Sequence, residues 1–219
     1  MATLGEIVIA VTRRIGQVSG TGVQLYSEDL LADMVQHKFD VLFDEAWWPQ
    51  FMHWQQVSLD GTTGVPTTNM STMQYPLKDF KDIRAVFPHN NDRALAKFSA
   101  HRQPNTVTGN VGMFVEPVLD TTRIFRILPV TATEDVIFHY RSKPDNFIPD
   151  DTVPFDQQAI ILGTTYDYLE DDGTNPGATQ KFQNMFNSRV VQLKRELHNI
   201  AFDSDPYTND SADEWWESA

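Results

Sequence analysis

Cysteine is absent from this chain of 219 residues, which excludes disulfides, thiolate metal sites and cysteine nucleophiles. Histidine is sparse. The six are scattered, and none stands at the i, i+4 spacing of a helical zinc pair. Positive charge is also short: Lys plus Arg number 17 against 30 Asp plus Glu, a net charge of −13. Wrapping DNA or lying on an anionic membrane needs clustered cations, so that balance disfavours both. No Lys or Arg follows Arg195, whereas Asp203, Asp205, Asp210, Asp213, Glu214 and Glu217 do. Long apolar runs are lacking too. The opening MATLGEIVIAVTRR is too short for a membrane span, carries Glu6 and has no basic n-region. The expectation is a soluble protein made in the cytosol, with no membrane partner.

What is present is the makings of a folded body. Apolar residues make up 41% of the chain and aromatics 11%, enough for one sizeable domain or a body with an inserted module. Thr3 and Glu6 form a capping box, and Leu4, Ile7, Val8, Val11 and Ile15 follow at helical spacing. A second helix is predicted after Ser27, with Leu31, Met34, Val35, Phe39 and Leu42 on its buried face and Pro49 as its stop. From Phe51 to Tyr140 the period falls to two, with strands predicted at 57–59, 82–87, 113–119, 123–130 and 135–141. In the second of these, Ile83, Ala85 and Phe87 are expected to face one way.

Helical period then returns. Thr152 is the expected cap and Pro154 the first-turn residue of a third helix carrying Phe155, Ala159, Leu162, Tyr166 and Leu169, ended by Gly173. A fourth helix carries Phe182, Phe186, Val190, Leu193 and Leu197. The expected fold class is α+β: a four-helix body from residues 1–50 and 148–200, an inserted antiparallel β-sandwich or barrel-like module at 51–147, and an extended arm at 201–219. Neither helical pair buries its stripe alone, so the two pairs are expected to pack on each other.

Catalytic chemistry is hard to find. SGTG at 19–22 follows a helix and precedes no lysine, so it fails as a phosphate loop. Asp203 and Asp205 lack the further ligands of a calcium loop. Asp171 and Asp172 stand where a helix ends, a solvated position. His139 lies within a strand and reads as structural or exposed. No catalytic residue, metal or cofactor is expected. The aromatic pairs are more telling. Trp47 and Trp48 either plug the junction of helix and sheet or meet a neighbouring subunit. Tyr207, Trp215 and Trp216 sit in an acidic tail with little core of its own. They read either as anchors of an arm docked on another chain or as an arm folded back on its own domain.

The stretch IPDDTVPFDQQAIILGTTYDYLEDDGTNPGATQKFQNMFNSRVVQLKREL, residues 148–197, resembles the C-terminal helical pair of head-to-tail adaptor proteins of tailed bacteriophages. In those a proline-led helix meets a second at a short Gly/Asn/Pro turn, followed by a Phe-x-x-x-Phe stripe (Phe182 and Phe186 here). GEIVIAVTRRIGQ and YSEDLLADMVQHKFDVLFDE are similar to the family's opening pair, and a β insertion between pairs resembles the tail tubular protein A-like variant of short-tailed phages. The resemblance implies a structural virion protein of the phage neck: a homo-oligomeric ring, usually of twelve, between the portal protein and a tail nozzle or hub protein. Genomic DNA would pass through its channel without sequence-specific binding, and the C-terminal arm would grip the portal. A second expectation, from another class, is a receptor- or glycan-binding module on a helical mount. Surface aromatics on the sheet would mark it, yet Tyr75 is the only Tyr or Trp between Trp54 and Tyr140.

Overall fold

The computed structural model describes residues 1–19, 27–60, 67, 74–75, 77, 82–88, 96–98, 113–115, 126–128, 135–173 and 175–204. The fold is mixed α+β, and among the described residues it comprises four α-helices and two three-stranded sheets, one of them antiparallel throughout. In chain order the elements are α1 (Leu4–Ser19), α2 (Glu28–Glu45), β1 (Met52–Val57), β2 (Ile83–Pro88), β3 (Ala96–Phe98), β4 (Met113–Val115), β5 (Arg126–Leu128), β6 (Val136–Arg141), α3 (Gln157–Asp172) and α4 (Pro176–Ser204). Two compact units result: Met1–Pro49 with Asp145–Ala219, and Gln50–Pro144.

The helical unit is sewn together by backbone. The amides of Leu4 and Gly5, orphaned at the start of α1, donate to the carbonyls of Asp151 and Pro149, at 3.0 and 2.9 Å. Val153 returns a bond to the Ala2 carbonyl, and Thr3 bridges Thr152. The capping box closes as expected: Thr3 N–H donates to Glu6 Oε2 at 2.9 Å, and Glu6 N–H to Thr3 Oγ1 at 3.2 Å. Leu4, Ile7, Val8, Val11 and Ile15 are all buried, each aliphatic side chain contributing about 1.5–3 kcal/mol.

In α2 the Ser27 hydroxyl accepts from Leu30 N–H, and the buried set is Leu31, Val35, Lys38, Phe39, Leu42 and Phe43. Met34, expected inside, is only half-buried, because its angular position lies toward the outer edge of the stripe. The start of α3 also differs from expectation. Thr152 is held in its bridge with Thr3, and the N-cap is Asp156, whose carboxylate accepts from Ala159 N–H at 2.7 Å. Gly173 ends α3 with φ 63°, its amide donating to the Leu169 carbonyl, a conformation that needs no Cβ. Residues 159–165 of α3 are buried without interruption, as befits a helix surrounded by its neighbours. It packs on α1, α2 and α4. Finally, α4 runs on to Ser204, so the first four residues of the expected arm are helix. The remainder, with Tyr207, Trp215 and Trp216, lies outside the described residues.

In the other unit the sheet order is β1-β6-β2, all antiparallel, and it is open. Residues 52–57 form β1, upstream of the expected 57–59, because its inner positions His53 and Gln55 show no apolar alternation. Pairing with β6 defines the strand instead, Trp54 opposite His139 and Val57 opposite Val136. The core beneath holds Val57, Ile83, Val86, Val136, Phe138 and Tyr140. Ile83, Ala85 and Phe87 do not share a face: a register shift between Ile83 and Ala85 turns Val86 inward. A buried ion pair joins Arg141 to Asp82 at 2.7 Å. A second three-stranded sheet orders β3-β4-β5, with β3 and β4 parallel, a departure from the all-antiparallel expectation.

Of the described glycines, Gly163 on α3 is the most closely enclosed. A Cβ built there would lie 2.7 Å from Lys38 Cδ and 2.8 Å from Phe186 Cε2. Gly163→Ala is expected to lose about 1–3 kcal/mol to overpacking, more than the roughly 0.5–1 kcal/mol of helix propensity gained. Urea denaturation should show a lower midpoint at unchanged slope; a raised midpoint would refute this packing.

Candidate functional site

Among the described residues, no group of three or more His, Asp or Glu gathers as a metal site would require, and no helix is long and apolar enough to cross a membrane. The features that remain are surfaces, and the aromatic pairs are the first to place. Trp48 is 4% exposed. Its indole N–H donates to the Leu42 carbonyl at 2.6 Å, and its ring meets Phe155 edge-on at 5.0 Å. Leu42 is in the last turn of α2, so the indole satisfies a carbonyl that the helix end leaves open. Trp48 is therefore spent inside its own helical unit. Of the pair offered as a subunit contact, only the half-buried Trp47 reaches the surface.

Trp54 is the aromatic that sequence reasoning passed over. It is 60% exposed on β1. Its ring stacks flat on His139 of β6, 4.0 Å between centroids and 5° between planes, and touches Phe87 of β2 at 5.6 Å. One indole face is supported by the sheet, and much of the residue remains open to solvent. Two residues along the same strand, Gln56 donates its amide to Asp135. The signal was available: Met52, Trp54 and Gln56 share one strand face, opposite Val57. On the core face Tyr75 stacks on His53 at 3.8 Å, and its carbonyl accepts from Tyr140 O–H at 2.7 Å. Burial lowers the His53 pKa and raises that of Tyr140, where the nearby Tyr75 adds to the rise.

Charge is divided between the helices. Glu28, Asp29, Asp33, Asp40, Asp44 and Glu45 lie on α2, against Lys38 alone, and Lys38 points inward. In contrast α4 carries Lys181, Arg189, Lys194 and Arg195, with Glu196 and Asp203. Two of those cations serve the unit itself: Lys194 pairs with Glu45, and Arg189 grips the Asp156 carboxylate at 3.1 and 2.7 Å. Lys181 and Arg195 are exposed. Beside Arg189 an open groove of about 360 Å³ runs between α3 and α4, lined by Gln158, Leu162, Asn184, Met185, Ser188, Arg189 and Gln192.

Inside the unit, Lys38 Nζ lies 2.8 Å from Asp167 and 5.0 Å from the Phe186 ring centroid. Burial raises the Asp167 carboxyl pKa, and the Lys38 hydrogen bond and charge only partly oppose it. This arrangement is structural, since the ammonium is enclosed by ring, carboxylate and helix.

A scan against models of known protein families finds none that matches the chain, and a search of curated proteins finds no significantly similar sequence.

Asp156 gives the helical unit a defined pH response. Burial alone would raise its carboxyl pKa, but hydrogen bonds from Arg189 and the Ala159 amide, with the guanidinium charge, outweigh it and hold the group below the ordinary carboxylate range. A depressed folded pKa contributes stability that is complete above the unfolded value and is lost as pH falls through the folded one. Asp156→Asn keeps a capping side chain but loses the charge. It should destabilise the protein at neutral pH, with the gap from wild type closing below about pH 4. A gap independent of pH in urea titrations would show that the ion pair is not the source.

Proposed function

We propose that this chain is a structural component of the phage neck, a head-to-tail adaptor with no chemistry of its own. On this reading it forms a ring, of twelve copies by the resemblance, between the portal protein and a tail nozzle or hub protein. Made in the host cytoplasm, it would reside in the virion and extend the channel through which genomic DNA passes. The observation that carries the reading is the way both chain ends build one helical unit while the middle forms a β unit. That is the order of elements in the adaptors the sequence resembles. An acidic chain suits a channel that must let DNA slide, since carboxylates do not attract phosphates. The two small sheets of the β unit are, on this account, leaves of one sandwich-like module. The arm with Tyr207, Trp215 and Trp216 would dock on the portal, where many copies engaging one ring gain avidity.

One observation favours a second reading. Trp54, open on the sheet over His139, is the surface aromatic that a receptor- or glycan-binding module would use. Electron microscopy of particles separates the two. A closed ring with a central hole supports the adaptor, and isolated monomers that bind a glycan through Trp54 support the module. For the arm, Trp215→Ala with Trp216→Ala should leave the monomer's Tm nearly unchanged and weaken assembly onto DNA-filled heads. A large loss of monomer stability with assembly intact would mean that the arm packs on its own domain.

A further inference from the structure

The outer face of the β1-β6-β2 sheet holds a fixed aromatic plate. Side chains alternate across a strand, so Trp54 and Gln56 of β1, Ile137 and His139 of β6, and Phe87 of β2 stand opposite the buried Val57, Val86 and Phe138. His139 covers one face of the Trp54 ring, and Phe87 meets the ring from β2. Held by both, the indole has little rotamer freedom left to lose when a ligand arrives. β1 is an edge strand, so no further strand of this sheet covers the other side of the ring, and Trp54 stays 60% exposed.

Polar groups stand at one end of the plate. Gln56 is two residues on, about 7 Å along the strand at 3.4 Å per residue, and its side-chain amide donates to the Asp135 carboxylate just before β6. That bond orients both groups. A carboxylate accepts from several donors at once, and Gln56 keeps a carbonyl oxygen and a second amide hydrogen.

Charge narrows the ligand. Asp135 and a chain charge of −13 repel anions. Of the two arginines in these strands, Arg141 is buried against Asp82 and only Arg84 is exposed. That is far short of the clustered cations with which a stacking platform holds a nucleic-acid strand. A quaternary ammonium is held by a cage of rings, and here a single ring face is open. What matches is a ligand with a flat apolar face and hydroxyl groups around its rim. A pyranose has that form: its C–H face meets the electron-rich face of the indole, and neighbouring hydroxyls donate to a carboxylate while accepting from an amide.

We propose that Trp54, Gln56 and Asp135 form a site for an uncharged pyranose unit of a glycan, stacked on the indole with neighbouring hydroxyls held by the amide and the carboxylate. This rests on the glycan-binding reading and names its site and its class of sugar; it requires no ring of subunits.

The test titrates the full chain with the methyl glycosides of glucose, galactose, mannose and N-acetylglucosamine, read by saturation-transfer NMR, with sialyllactose and choline as charged comparisons. At least one neutral glycoside should bind more tightly than either charged probe, with the strongest transfer to its ring C–H protons. Trp54→Ala should weaken binding about tenfold or more, and Trp54→Phe should restore much of the loss. Gln56→Ala with Asp135→Asn should weaken it while the C–H transfer persists. None of the three residues belongs to the core beneath the sheet, so far-ultraviolet circular dichroism of each variant should match wild type. Unchanged affinity in Trp54→Ala, or a preference for sialyllactose, would overturn this site while leaving the glycan-binding reading. A preference for choline, or no sugar bound by wild type, would remove that reading and the site together.

Discussion

The helical unit depends on one buried cation. Lys38 projects inward from α2, runs its methylenes past Gly163 of α3, and sets its ammonium between the Asp167 carboxylate and the Phe186 ring of α4. A charge so enclosed is tolerable only with its partner in place. Removing one member of a buried pair costs several kcal/mol, whereas replacing both by apolar groups is often neutral. The pair therefore contributes less to net stability than to specificity. It fixes the rotation of α2, admits only glycine at position 163, and sets the approach of α4. Three helices from opposite ends of the chain are registered by one side chain.

The remainder of that unit follows from the burial of α3 along its central stretch, residues 159–165. Its neighbours α1 and α2 come from before the β excursion and α4 from after it, so α3 acquires its surroundings only when both chain ends meet. The backbone bonds from Leu4 and Gly5 to Asp151 and Pro149 hold that meeting, and Arg189 clamps the α3 cap from α4. Contacts of such sequence separation carry a loop-closure cost on folding. What they provide is one helical body drawn from both sides of the β segment.

Much of this was legible in the residues, for identifiable reasons. The stripe of α1, the capping box and the Gly173 stop are local matters of period and backbone chemistry, and local signals survive into the fold. What escaped depends on tertiary partners. Lys38 sits at a buried angle of α2 between Val35 and Leu42, but nothing local says that Asp167 awaits it 129 residues on. Asp156 replaced Thr152 as the cap because Thr152 is held in its bridge with Thr3. The bulge beside Arg84 turned an expected face over, and β1 is a strand by pairing with β6 more than by its own alternation. For the candidate surfaces, the tryptophan pair was legible as an interior plug or a subunit contact, but not which of the two rings faces inward; Trp48 does. Trp54 was overlooked because its exposure depends on His139 lying beneath it.

The central claim is that the two chain ends form one body, with the β segment an excursion from it. Excising residues 50–144 and joining Pro49 to Asp145 through a flexible Gly/Ser linker tests this directly, read by far-ultraviolet circular dichroism during urea denaturation. The account predicts a strongly helical spectrum and a single cooperative transition, with α3 amides among the slowest to exchange. A chain that loses its helices, or melts without cooperativity, would contradict it.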